Sequence, residues 1–145
     1  MADEIRLFSR TNLSTDEIFK VLFNYIDVEI DQDIPHKIWV NDLSCLVLHN
    51  VPDAVKSEFM GEAENLIVDF SFRGSMEGYA NSMRVALNWW NGTDDDTILA
   101  HNFEYILFSR IDGRLIRNIH PIAEIPGEIL DLIDIPYEDD DLGFE

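Results

Sequence analysis

Apolar residues recur along this chain with two periods, near 2 and near 3.6, and the switches between them mark out its elements. Ile5 to Ser9 predicts a first strand, with Ile5, Leu7 and Ser9 on one face. Ser14 then has the chemistry of a helix N-cap, and Glu17 stands at capping-box spacing. Leu13 and Ile18 flank that cap as a hydrophobic staple. Ile18, Val21, Leu22, Tyr25 and Ile26 continue one apolar helical face, so the pattern predicts a helix ending near Ile26.

From Asp27 to Asp33 the pattern has strand period, with Val28 and Ile30 between acidic positions. That predicts an edge strand with one charged face, because charge on an edge opposes sheet-to-sheet pairing. Pro35 interrupts it. Ile38 to Val40 and Cys45 to His49 predict two strands around a turn at Asn41-Asp42, and Leu66 to Phe72 another, apolar on both faces at its start. Pro52 to Met60 is ambiguous: Pro52 could open a short helix, but Gly61 cuts it off. A second helix is expected from about Ser75 to Trp90, with Tyr79, Met83, Ala86, Leu87 and Trp90 inward and Asn91-Gly92 as its stop. Thr97 to His101, Glu104 to Ser109 and Arg114 to Asn118 predict a three-stranded meander whose last turn is Asp112-Gly113. The order indicates an α+β fold: a mainly antiparallel sheet with two helices packed on one face. Ile18, Leu22, Phe70, Met83, Leu87 and Phe108 are its expected core.

The domain is expected to span residues 1–123. Residues 124–145 differ in kind, with nine acidic side chains and no basic one. Ile129, Leu130, Leu132, Ile133, Ile135, Tyr137 and Phe144 punctuate that acid, which predicts an acidic C-terminal extension packed in part on the domain. At 145 residues and 46% hydrophobic content, the chain is long enough to bury a core as one domain.

Charge changes the picture most. Lys and Arg number 10 against 29 Asp and Glu, a formal net charge of −19. Such a surface repels phosphate backbones and anionic lipid, which speaks against nucleic-acid and membrane partners. It attracts basic proteins and speeds their approach, or it serves solubility alone. Cys45 is the single cysteine, so no intramolecular disulfide is possible and a cytoplasmic setting is expected. The opening Met1-Ala2-Asp3-Glu4 does not resemble a signal peptide, and no apolar run reaches the roughly 20 residues of a membrane span.

Candidate chemistry is sparse. Leu46, Val47 and Leu48 around Cys45 suggest a buried structural thiol; a nucleophile needs a basic neighbour, and only His49 is near. His36, His49, His101 and His120 form no short ligand motif, although His49 and His101 fall at strand ends that could meet. Asp94-Asp95-Asp96 offers oxygens to a hard cation but lacks the rest of a calcium loop, so a solvated loop is the simpler reading. No phosphate-cradling glycine loop and no nucleophile elbow is present. No catalytic residue, metal site or cofactor is therefore expected. Trp89 and Trp90 point about 100° apart in a helix. Either one is exposed as a partner anchor, or both are buried at the sheet edge.

Three stretches carry a resemblance. They are Leu13-Ser14-Thr15-Asp16-Glu17-Ile18 after a first strand, Leu66 to Phe72 leading to the helix around Met83 to Leu87, and Asp96 to Asn102 before a hairpin closing on Asp112 to Asn118. In that order they resemble Sit-type and contact-dependent-inhibition immunity proteins of bacterial polymorphic toxin systems. The resemblance covers about two thirds of the chain, in apolar pattern more than identity, and leaves out the acidic extension. It implies a non-enzymatic cytosolic inhibitor that binds and neutralises a cognate toxin. Many such toxins are basic nucleases, whose active site an acidic inhibitor can occlude. The expected contact residues are Asp27, Glu29, Asp31 and Asp33, then Asp94, Asp95 and Asp96, then Glu138, Asp139, Asp140 and Asp141. The rival is a DNA-mimic or anti-restriction protein, whose carboxylates stand in ordered rows.

Overall fold

The cap at Ser14 forms as the sequence requires. The Glu17 amide donates to Ser14 Oγ at 3.2 Å, and the Ser14 amide donates to Glu17 Oε1 at 3.0 Å. Those hydrogen bonds hold the Glu17 carboxyl below its ordinary pKa. They open helix α1 (Thr15–Leu22), whose inner face buries Ile18 and Leu22. The computed structural model describes residues 3–23, 29–30, 37–40, 43–49, 60–61, 64–72, 76–101, 104–121, 123 and 125–142. Helix α1 stops at Leu22, a turn before the expected end near Ile26; Tyr25 and Ile26 lie outside the described residues. So do the expected turn at Asn41-Asp42, the expected cap Ser75 and the segment 52–59.

The strands are β1 (Asp3–Ser9), β2 (Glu29–Ile30), β3 (Lys37–Val40), β4 (Leu43–His49), β5 (Leu66–Phe72), β6 (Thr97–His101), β7 (Tyr105–Ile111), β8 (Arg114–Asn118) and β9 (Tyr137–Asp140). They form one sheet in the order β2-β3-β4-β5-β1-β6-β7-β8-β9. The first strand of the chain is thus the central strand of the sheet. Every pairing is antiparallel except β8 with β9. Asp112 and Gly113, both with positive φ (53° and 78°), make the β7–β8 turn, a conformation that Asp-Gly adopts readily.

Helix α2 (Met76–Gly92) and α1 cover one face. That face supplies Ile5, Leu7, Cys45, Val47, Val68, Phe70, Leu99 and Phe108 to the core. All six residues expected in the core are buried. Helix α2 is buried more fully than one apolar stripe predicts, because α1, the sheet and the short helix α3 (Gly127–Leu130) surround it. Gly92, its last residue, meets α1 closely: a Cβ there would sit 3.0 Å from Val21 Cγ1. Asn88 Nδ2 donates to the orphan carbonyl of Leu22 at 2.7 Å and ties the helices end to end. Burial also pushes the Cys45 thiol far above its ordinary pKa, with Asp69 adding to it, so the thiol stays protonated. On the opposite face, Phe8, Ile67 and Ala100 form a smaller cluster with Met60 against it.

An irregularity in β7 decides which way Arg110 points. Leu99 pairs with Phe108 and Ala100 with Ile106, so Leu107 is an extra residue in β7. This bulge turns both Leu107 and Phe108 into the core and reverses the alternation beyond them. Unbroken alternation from Tyr105 and Leu107 would point Arg110 outward. With the bulge, Arg110 points inward and is buried.

Candidate functional site

Three connections and the start of β8 meet at one end of the sheet, the connections being the α2–β6 loop, the β7–β8 turn and the run into β9. They gather Asp94, Asp95, Asp96, Asp112 and Glu138. The end begins with a problem of helix physics. The last carbonyls of α2 need donors, its C-terminal dipole favours a cation, and its own last turn has no basic residue. Arg110 supplies both from β7. Its Nη1 donates to the Trp90 carbonyl at 2.9 Å. Its Nε and Nη2 donate to the Asp95 carbonyl at 3.0 and 2.9 Å, and Nη2 also donates to Thr93 Oγ1 at 3.0 Å. Desolvation lowers the Arg110 pKa, and the charges of Asp94, Asp95 and Asp96 oppose that shift.

Ser9 Oγ donates to the Asp96 carbonyl at 2.7 Å, and Thr97 Oγ1 donates to the Asp95 carbonyl at 3.0 Å. Trp89 Nε1 donates to Thr97 Oγ1 at 2.9 Å. The loop therefore turns these carbonyls inward. The Asp95 and Asp96 carbonyls, which could have added to a calcium shell, are committed to protein donors, which argues against the cation reading of Asp94-Asp95-Asp96. The carboxylate of Asp96 accepts from the Asp112 amide at 2.9 Å and joins the loop to the β7–β8 turn. Asp94 is exposed.

The acidic extension reaches the same end. Ile129 of α3 is wholly buried. Asn91 at the end of α2 donates through Nδ2 to the Leu132 carbonyl (3.1 Å), and its Oδ1 accepts from the Asp134 amide (3.0 Å). The chain then lies beside β8 as β9, with Leu115 opposite Tyr137, Ile116 opposite Glu138, Arg117 opposite Asp139 and Asn118 opposite Asp140. All four β9 residues are exposed. Arg114 pairs with Glu138, and Arg117 Nε donates to Asp139 Oδ1 at 2.8 Å. The Arg114 guanidinium holds the Glu138 carboxyl below its ordinary pKa. The acidic run of the extension thus lies against two cations that its own sequence does not contain. Beside it, Asp112, Gly113, Arg114, Leu115, Pro136, Tyr137 and Glu138 line an open cleft of about 360 Å³.

The structure sorts the expected contact residues into separate places. Asp94, Asp95, Asp96 and Glu138 share this end; Asp139, Asp140 and Asp141 continue along the sheet edge away from it. Glu29 is on β2, at the opposite edge, eight strand spacings or roughly 38 Å away across the sheet. Asp27, Asp31 and Asp33 lie outside the described residues. Trp89 and Trp90 are both buried, so neither is an exposed anchor. His49 and His101 do not meet. His49 is level with Leu66, Ser9 and Thr97 at one end of the sheet, whereas His101 ends β6 at the other, packed against Tyr79 and Tyr105. Among the described residues, no group of three or more His, Cys, Asp or Glu is placed to hold a metal ion, and no helix is long and apolar enough to cross a membrane.

Arg110 carries no signal in the sequence: the strand period would point it to solvent, and no local residue announces the bulge that turns it inward. Compared with known proteins, the chain matches no family model, no curated protein and no solved structure, so its functional reading rests on this acidic end and edge.

Proposed function

We propose that this protein is an immunity-type inhibitor: it binds a basic toxin domain, a nuclease by preference, and occludes its active site without catalysing a reaction. The supporting observation is the exposed acidic strand at the sheet edge. Glu138, Asp139 and Asp140 are solvent-facing there, and the strand starts where Asp94, Asp96 and Asp112 gather. Carboxylates held on a backbone ladder are pre-organised, and a net acidic rim, even with Arg114 and Arg117 within it, steers an oppositely charged partner. A cytoplasmic site of action goes with this reading. Asp27 to Asp33, at or near the far edge, belong to a second contact or to none.

The duplex-mimic alternative is weaker. Arg114 and Arg117 lie directly against Glu138 and Asp139, which spoils a row of unshielded charge.

The test begins with a pull-down from the producing cell, using the full chain as bait. A basic nuclease-type toxin should be recovered, and one equivalent of this protein should abolish its activity. Neutralising Asp94, Asp140 and Asp141 to Asn should slow association and flatten its salt dependence. Inhibition that is unchanged across salt in that variant would reduce the acidity to a solubility device. Recovery of a small-molecule-processing complex, with turnover by this chain, would replace the reading altogether.

A further inference from the structure

We propose that β9 is a detachable strand, latched to the outer edge of β8 by Arg114 and Arg117, that opens and closes while the rest of the fold stays intact. Four observations converge on this. β9 is the last strand in the sheet order, its four residues are all exposed, and it contributes no residue to either apolar cluster. Its pairing to β8 is the one parallel ladder in an otherwise antiparallel sheet, and parallel pairing is slightly weaker per residue. Its side chains reach β8 through two ion pairs, Arg114 with Glu138 and Arg117 with Asp139, with the Asp140 charge also acting on Arg114. The chain just before it is held by different means: Ile129 is fully buried, Ile133 and Ile135 pack on the core, and Asn91 clamps Leu132 and Asp134.

The boundary between these regimes is Pro136, which has no N–H to lose when the strand swings away. Opening breaks the ladder, the Ile119 amide bond to the Asp140 carbonyl (2.9 Å) and the Leu142 amide bond to Asn118 Oδ1 (2.9 Å). Asn118 itself stays in place, because its Nδ2 donates to the Ile106 carbonyl at 2.6 Å. The opened state presents Glu138 to Asp141 as a free acidic segment and bares the cationic edge of β8. Its use in capturing a basic toxin rests on the function proposed above, but the opening is a property of the protein alone.

Amide hydrogen exchange on the full chain tests it. The reporters are the amides of Ile119 and Leu142, with Leu7 and Val68 in the central strands as references. Raising salt from 50 mM to 1 M shortens the screening length from above 10 Å to about 3 Å. The reporters should then exchange faster by on the order of two- to thirty-fold, the range for two exposed ion pairs, with the references unchanged. Arg114→Gln with Arg117→Gln should produce the same acceleration at low salt. The swapped pair Arg117→Asp with Asp139→Arg should restore slow exchange. If the reporters instead exchange in step with Val68 at every salt concentration, β9 belongs to the cooperative core and the proposal fails. It fails equally if the swap leaves exchange fast, since the pairs would then not be the latch. Absence of a toxin partner would leave this result untouched, and a toxin that binds a permanently closed β9 would leave the function standing without the device.

Discussion

Asp94-Asp95-Asp96 and Asp139-Asp140-Asp141 are alike in composition and held by opposite physics. The first run is fixed through its backbone. The Asp95 and Asp96 carbonyls point inward to a buried guanidinium and two hydroxyls, and of its carboxylates that of Asp96 adds a bond from the Asp112 amide. The second is fixed in part through a side chain, in water, by Arg117 of the neighbouring strand on Asp139, next to the Arg114–Glu138 pair. Backbone clamping in a dry setting is strong and indifferent to salt, because the unmade alternative is a buried unpaired carbonyl. Side-chain pairing in water is weak and screened. Acidic composition alone therefore says little about which acid is structural and which is available.

Breaking the buried clamp should have the largest effect. Arg110→Met takes the guanidinium from the Trp90 carbonyl and leaves the Asp95 carbonyl with Thr97 Oγ1 alone, which should cost about 3–5 kcal/mol in denaturant unfolding. Arg110→Lys should recover only part, since one ammonium cannot reproduce the fork. A loss below about 1 kcal/mol for the Met variant would mean that water replaces the guanidinium and the contrast collapses. Next in size is Trp89→Phe, which keeps most of the ring but removes the bond to Thr97 Oγ1; about 1–2 kcal/mol should be lost. Retained stability would show that the hydroxyl cluster holds the loop unaided.

Acid should separate the two runs locally. Glu138 has a pKa lowered by its hydrogen bond and charge contact with Arg114. A lowered folded pKa contributes stability that is present above the ordinary value of 4.5 and is lost as pH falls through the folded value. Protection of the Ile119 amide should therefore fall below about pH 4.5, before the Arg110 clamp, built on carbonyls that do not titrate in this range, is affected. Following the Arg110 side-chain and Ile119 amide signals by NMR through that range checks it, and simultaneous loss would make one unit of the two. The smallest effect belongs to Asp94→Asn. An exposed charge that holds no element should leave the melting curve unchanged within about 0.5 kcal/mol and slow only association with a basic partner. A clear destabilisation would mean that the loop carboxylates, and not only its carbonyls, support Arg110.

Much of the architecture was legible because its causes are local. The Ser14–Glu17 box, the Asp112-Gly113 turn and the strands at Leu66–Phe72, Thr97–His101 and Arg114–Asn118 follow from caps, turn chemistry and side-chain period. So does the two-helix, one-face α+β arrangement, since each amphipathic element has one face to bury. The candidate contact residues were legible only as acid. No period or motif distinguishes Asp95, whose carbonyl is spent on Arg110, from Asp140, whose side chain faces solvent.

The sequence by itself determined most of the strands and both long helices, the apolar side of those with unbroken period, and that charge would crowd the surface. Tertiary structure alone decided the rest. Strand order is set by pairings between distant segments, so nothing in residues 3–9 announces the centre of a nine-stranded sheet. The bulge at Leu107 is a compromise between two strands, and through it Arg110 turns from solvent to core. The extension became a strand because Arg114 and Arg117 on β8 compensate an acidic run that would repel itself in isolation. Local preferences act within a few residues; register, bulges and charge compensation belong to pairs of segments, and only folding brings those pairs together.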